Sequence, residues 1–183
     1  MKYIIRKPFW NYEKEEKWIN EMCAKGLALT DYSWCRYVFE DCDNGEYIYR
    51  IELLNKPAAH PESMKYIQFL EETGVEHVAS YMRWIYCRKK ASEGEFNLFT
   101  DINSKLKHFK EVRAFWLTIT MVEFCIGIPN IIIGITNSIT MPITNANTIL
   151  GSLCLVLGVV LFFVGMPSRR KVRLLKKEKA IME

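Results

Sequence analysis

Between Ala114 and Ser168 the chain carries a single formal charge, Glu123. A soluble helix of this region would need a polar face, and none is written into it. Within the run, TILGSLCLVLGVVLFFVGM (148–166) is uncharged throughout. At about 1.5 Å per residue it nearly matches a hydrocarbon core of about 30 Å. A second apolar stretch of sufficient length spans 114–135, and the polar, uncharged TNSITMPITNAN (136–147) separates the two. Two spans joined by a short loop make a transmembrane hairpin with both ends on one side of the bilayer.

The remaining charge says which side. The segment 1–113 carries 18 Lys/Arg and 18 Asp/Glu, whereas 169–183 carries 7 Lys/Arg and 2 Asp/Glu. The net charge of +4 thus arises in the tail, unlike a nucleic-acid binder, whose basic patch belongs to the folded domain. Lys105, Lys107, Lys110 and Arg113 precede the first span; Arg169, Arg170, Lys171, Arg173, Lys176 and Lys177 follow the second. Positive flanks stay cytoplasmic. The expected topology is a multi-pass cell-membrane protein with both termini in the cytoplasm and only the loop outside. Arg169, Arg170, Lys171 and Arg173 are then placed to meet anionic lipid headgroups. KYIIRKPFW, at the start, is too short and too charged for the apolar region of a signal peptide.

Three polar or helix-disturbing residues fall inside the first span: Glu123, Pro129 and Asn130. Glu123 lies roughly 13 Å from the cytosolic end of an ideal helix. An acid there costs on the order of 2.5–3.5 kcal/mol, which the surrounding apolar residues offset. It is expected to face a partner helix, at the depth of Leu157 and Gly158 in the second span, where a glycine permits close approach. Fixing the helix pair, contacting another membrane protein and lining an ion path all remain open roles. Pro129 and Asn130 are expected to kink the helix.

The first ninety residues alternate between strand and helix patterns. KYIIRK reads as a strand. PFWNYEKEEKWINEMCAKG reads as a helix with Asn11 as N-cap, a Trp18, Ile19 and Met22 stripe, and Gly26 at its end. LALTDYSWCRYVFED reads as one strand. Asn44–Gly45 then signals a hairpin leading to EYIYRIELL. ESMKYIQFLEETG reads as a helix with Met64, Ile67, Phe69 and Leu70 as its apolar contacts, and VEHVASYMRWIYCRKK reads as a last strand. The order βαββαβ predicts an α+β, ferredoxin-like cytosolic domain over residues 1–95. A connector helix follows over residues 96–113, capped by Thr100 or Asp101, with Ile102, Leu106 and Phe109 at helical spacing. The two spans come next (114–135 and 148–166), with the loop (136–147) between them and a basic tail (167–183).

In that topology two helices cover one sheet face and leave the other open. The strands are apolar on both sides, so the open face is expected to be a contact surface. Trp34, Arg36, Arg50 and Trp84 are its candidate partner-binding residues; the connector or a second copy of the domain could also cover it. Chemistry is absent by comparison. There is no P-loop, dinucleotide fingerprint, HExxH or GxSxG. His60, His77 and His108 lie apart, and Glu15–Glu16 and Glu71–Glu72 are expected to face solvent. The DCDNGE turn is far from a complete calcium loop. The six cysteines form neither a CxxC pair nor a zinc pattern and read as reduced thiols. No catalytic residue, cofactor or metal is expected. No RRM-like motif is present, and no nucleic-acid partner is expected.

Six stretches together carry a resemblance: EEKWINEM with Lys25–Gly26, then Tyr37 and Phe39, YIYRIE, FLEETG, Trp84–Ile85–Tyr86 with Arg88, and FTDINSK. On these the domain resembles an uncharacterised family of bacterial membrane-anchored proteins, catalogued as a domain of unknown function and often encoded beside PadR-like transcriptional regulators. Such proteins often carry Trp after each helix-ending glycine, where this chain has Leu27 and Val75. The resemblance supplies no catalytic residues. It implies a regulatory accessory whose cytosolic domain reports to, or holds, a PadR-like repressor. The resulting expectation is a non-enzymatic, membrane-anchored regulatory or envelope-stress accessory protein with a protein partner. The alternatives are a small-ligand-binding module at the membrane and an accessory subunit of a transporter, and homo-oligomerisation is open.

Overall fold

Each helix of the N-terminal half is preceded by one strand and followed by two. In the computed structural model, which describes residues 1–98, 101–140 and 146–182, the order is β1 (Lys2–Arg6), α1 (Tyr12–Cys23), β2 (Leu27–Ser33), β3 (Arg36–Asp41), β4 (Tyr47–Leu53), α2 (Pro61–Glu72), β5 (Glu76–Tyr81) and β6 (Trp84–Lys90). Two antiparallel sheets result, ordered β1-β3-β2 and β4-β6-β5. The domain is α+β as expected, but its topology is βαββ twice over. The stretches 27–41 and 75–90, each expected to be one strand, are hairpins. Their turns contain no glycine: Trp34, Cys35 and Met82 take φ values of 38°, 59° and 55°, in the left-handed region that side chains avoid. The usual turn composition is therefore missing. Asn44–Gly45 does turn the chain, but the strands on either side of it belong to different sheets, so it joins two repeats and is not a hairpin.

The repeat holds in detail when Gly26 is set on Gly74 and Trp34 on Met82. In that alignment the β2–β3 ladder is interrupted between Leu29 and Asp31, and the β5–β6 ladder at the matching place between His77 and Ala79. Gly26 and Gly74 both adopt positive φ just after a helix. At Gly26 a Cβ would also lie 2.8 Å from Asn44 Oδ1 and 3.1 Å from the Cys42 carbonyl, so no larger residue fits. At the far end of each unit a similar bond holds the turn: Lys7 N–H donates to the Cys35 carbonyl (2.9 Å) and Leu54 N–H to the Arg83 carbonyl (2.8 Å).

Local signals start the helices. Asn11 Oδ1 accepts from the Glu13 and Lys14 N–H groups at the N-terminus of α1, and His60 Nδ1 accepts from Glu62 N–H at that of α2. Packing then orders the sheets. Leu29, Tyr37 and Phe39 of the first sheet share one core with Ile19 and Cys23 of α1 and with Tyr49, Ile51, Ala79 and Tyr86 of the second sheet. Removing a fully buried ring such as Phe39 costs about 3–5 kcal/mol. The opposite face of the second sheet seats Ile85 and Cys87 with Leu54, Leu70, Val75 and Phe96. Ile85, Tyr86 and Cys87 are consequently all buried. The apolar face expected to lie open is filled from within the domain, by α1 and the first sheet. The outer face of the first sheet carries the ion pairs Lys2–Glu40 and Arg36–Asp31, each at 3.3 Å.

Residues Met1–Thr100 and Asp101–Glu183 form separate compact units. The second contains α3 (Ile102–Thr140), α4 (Ala146–Val164) and α5 (Met166–Met182). Asp101 Oδ1 caps α3 by accepting from Ser104 N–H at 2.7 Å; Thr100 lies outside the described residues. Connector and first span are one helix, which runs through Pro129 and on to Thr140. Residues 136–140, expected in a loop, are therefore helical, and 141–145 lie outside the described residues. α3 and α4 run antiparallel in close contact. Cβ atoms on Gly151 and Gly127 would each meet the backbone of the other helix at 3.1 Å or less. Gly134 sits against Thr148, Gly158 against Glu123 and Gly165 against Trp116. Gly151, Gly158 and Gly165 recur at the heptad period of a left-handed helix pair.

Candidate functional site

The most polar site inside the head is built on Glu15, which is buried although acidic pairs on a helix were expected to face solvent. One oxygen, Oε1, accepts from both the Tyr37 and Tyr86 hydroxyls at 2.7 Å. Tyr32 lies against Tyr37 and Tyr86, with ring centroids 4.7 and 4.5 Å away. Burial raises the Glu15 carboxyl above its ordinary value, against the two phenol hydrogen bonds. Burial, reinforced by the Glu15 charge, raises Tyr37 and Tyr86 as well, so the phenols remain donors at neutral pH. A satisfied buried network of this kind rigidifies a core. It offers no solvent-facing acid or base.

Glu16 and Asn20, one helical turn apart, serve a second purpose. Asn20 bonds both backbone groups of Tyr49 on β4, accepting from its N–H at 2.8 Å and donating to its carbonyl at 3.1 Å. Glu16 Oε2 accepts from Ile51 N–H at 2.8 Å. These side chains close an edge strand that would otherwise present unpaired groups. At the corresponding positions α2 carries Met64 and Gln68, and among the described residues no strand is bonded by them. Met64 is 58% exposed and Phe69 57% exposed, although both were expected to be core contacts.

The four residues expected on a contact face are distributed as follows. Trp34 projects from the β2–β3 turn at 77% exposure, its ring 6.2 Å from Tyr81. Trp84 packs on Tyr12 at 5.2 Å. Arg36 is held by Asp31. Arg50 is held by Glu16 at 3.4 Å and by the Tyr49 carbonyl at 3.0 Å, with Phe96 beneath it. Trp34 and Trp84 share one end of the domain, and the arginines are tied up within it. Sequence reasoning missed Met82, which is 67% exposed at the turn that corresponds to Trp34; the internal repeat is the signal that finds it.

In the second unit Glu123 lies against Gly158, where an added Cβ would come within 3.2 Å of its own Cβ, as the depth argument requires. Cys154 lies beside it as well. Asn130 Nδ2 donates to the Ile126 carbonyl at 2.8 Å. The basic tail is the helix α5, and it packs back along α3. The Lys171 ammonium lies 5.0 Å from the Phe109 ring, and the Arg169 guanidinium 4.1 Å from the Phe162 ring. Arg170 and Arg173 face outward. His108 on α3 is buried. All six cysteines are free. Among the described residues no group of three or more His, Cys, Asp or Glu could hold a metal ion.

A family model described as "Protein of unknown function (DUF2812)" matches residues 11–121, from the cap of α1 into α3. No curated protein and no solved structure matches the sequence.

Proposed function

We propose that this chain, which belongs to the DUF2812 family, is a non-enzymatic, membrane-anchored accessory protein whose cytosolic head docks a protein partner on helix α2. Two helices are long and apolar enough to cross a membrane, over Ile102–Asn137 and Ala146–Ile181. Only 17% and 22% of their most apolar windows are buried, so their apolar side chains face outward and call for lipid. The basic residues flanking both spans support cytoplasmic termini.

The observation that carries the docking reading is the contrast between α1 and α2. The first helix is roofed by the second sheet and satisfies its edge strand; its counterpart leaves Met64 and Phe69 bare. Five residues apart, the two side chains flank the outer side of α2, so a partner laid over that side would bury both. A transcriptional regulator of the PadR-like kind, held at the membrane, is the partner that the family resemblance favours. The sheet face that a small ligand would need is filled by Tyr32, Tyr37, Tyr49 and Tyr86.

A photo-crosslinking residue in place of Phe69, in full-length protein expressed in its own cells, tests the reading. A discrete protein adduct is expected, and it should disappear with Met64→Glu. No adduct at position 69, or an adduct as strong with the glutamate present, sinks it.

A further inference from the structure

The two hairpin turns of the head meet at one end of the domain. Trp34 and Tyr32 both contact Tyr81, at 6.2 and 5.9 Å between ring centroids. Trp10, 59% exposed, precedes the cap of α1, whose first residue Tyr12 packs on Trp84 beside the second turn. Three large apolar side chains, Trp10, Trp34 and Met82, thus project from one pole. Cations surround them. Arg6 ends β1, and Lys7, just after it, pairs through its backbone with Cys35. The Lys7 ammonium rests over the Trp18 and Phe9 rings, at 4.8 and 4.9 Å, and keeps its charge at the surface. Arg83 sits in the β5–β6 turn and is fixed by a 2.7 Å bond from Nε to the Leu54 carbonyl. Arg36 and Lys56 add two more, paired with Asp31 and Glu62; Glu13 in the first turn of α1 is another acid nearby. Arg6, Lys7 and Arg83 have no carboxylate within ion-pair distance among the described residues. The opposite end of the strands carries both signs, and its acids Glu40, Asp41, Glu76 and Glu93 are paired with Lys2, the Met1 ammonium, Arg88 and Lys89.

We propose that this pole docks on an anionic lipid surface. The proposal uses a different face from α2 and stands without the partner assigned there. Tryptophan and long cationic side chains belong at a boundary that is apolar on one side and wet on the other. The apolar residues protrude singly, with cations between them. A bilayer accepts such a surface, whereas a protein partner would need a matching set of pockets. Anionic lipid supplies the opposite charge, and each cation near its surface adds to the attraction. Only a short stretch of sequence (99–113) lies between Leu98 and the start of the apolar run at Ala114, so the chain itself keeps the head near a bilayer and raises the effective concentration of the contact. The left-handed turn residues fit the same picture, since strained backbone persists where the projected side chain is used.

Full-length protein in nanodiscs of phosphatidylcholine, with and without phosphatidylserine, provides the test, read by hydrogen exchange at residues 33–36 and 81–84. Exchange is expected to slow in the phosphatidylserine discs. The effect should weaken roughly fivefold for each of Arg6→Gln, Lys7→Gln and Arg83→Gln, and vanish in the Trp34→Ser/Met82→Ser double variant. Core amides at Tyr37 and Tyr86 should be unchanged in every variant, which separates lost docking from lost folding. Equal exchange in both lipids overturns the proposal. So does protection that appears only when cytosolic extract is added, whatever the lipid, because the pole would then belong to a protein.

Discussion

Because Glu15 gives up water for two phenol hydrogen bonds, its ionisation costs more in the folded head than in the unfolded chain. The unfolded carboxyl titrates near 4.5, and the folded one above it. Its contribution to stability is therefore fully present below pH 4.5 and is lost as pH rises through the folded value. Glu15→Gln keeps an acceptor for Tyr37 and Tyr86 but has no proton to lose. Urea unfolding of residues 1–98, followed by near-UV circular dichroism across this window, should show wild-type stability falling with pH and the Gln variant flat by comparison. Equal slopes would mean that Glu15 does not titrate as its burial demands. None of this is legible in EKEEKW. An acidic pair on a helix faces solvent by default, and only the fold brings Tyr37 and Tyr86, 22 and 71 residues away, over Oε1. The caps Asn11 and Asp101 are legible because a cap is a local bond, made within one turn of helix.

At the scale of elements, the helices of the head are legible almost to the residue and the strands are not. Helical period and caps are properties of contiguous sequence, whereas a tight turn stands out only if it uses glycine or asparagine. Trp34–Cys35 and Met82–Arg83 do not, so two hairpins look like two long strands and the repeat stays hidden. The repeat does leave a trace in Gly26–Leu27 and Gly74–Val75, one helix end written twice. The glycines at 151, 158 and 165 are equally visible as a heptad period, a packing signal that apolar length alone does not report. Non-glycine residues in the left-handed region cost about 1–2 kcal/mol each. Replacing Trp34–Cys35 by Asn–Gly should then raise stability by about 1–2 kcal/mol, seen as a higher urea midpoint at unchanged slope. The same variant should lose lipid docking, the trade expected where strain is kept for function. A midpoint that stays or falls would show that the turn is not strained.

For the whole molecule, composition divides the chain into a charged head and an apolar anchor because the split needs no tertiary information. The expected sheet layout fails for the opposite reason: an apolar face looks the same in sequence whether a partner or a second repeat covers it. Orientation is a matter of charge acting through the membrane and not through packing. Lys105, Lys107, Lys110 and Arg113 flank one span, and Arg169, Arg170, Lys171 and Arg173 the other. Positive charge on short flanks resists translocation, so the expectation is that both flanks stay on the cytoplasmic side. A fluorescent reporter fused after Met182 should therefore glow in the cytoplasm, and a phosphatase there should be silent. Fused after Asn147, at the start of α4, the two reporters should exchange behaviour. Changing the four arginine and lysine residues at 169, 170, 171 and 173 to glutamine should weaken the cytoplasmic signal at the C-terminus and leave the head, still held by the first flank, where it was. If the C-terminal phosphatase is active in the unaltered protein, the two apolar helices do not form a hairpin with both ends inside, and the lipid docking of the head would have to be sought on the other leaflet.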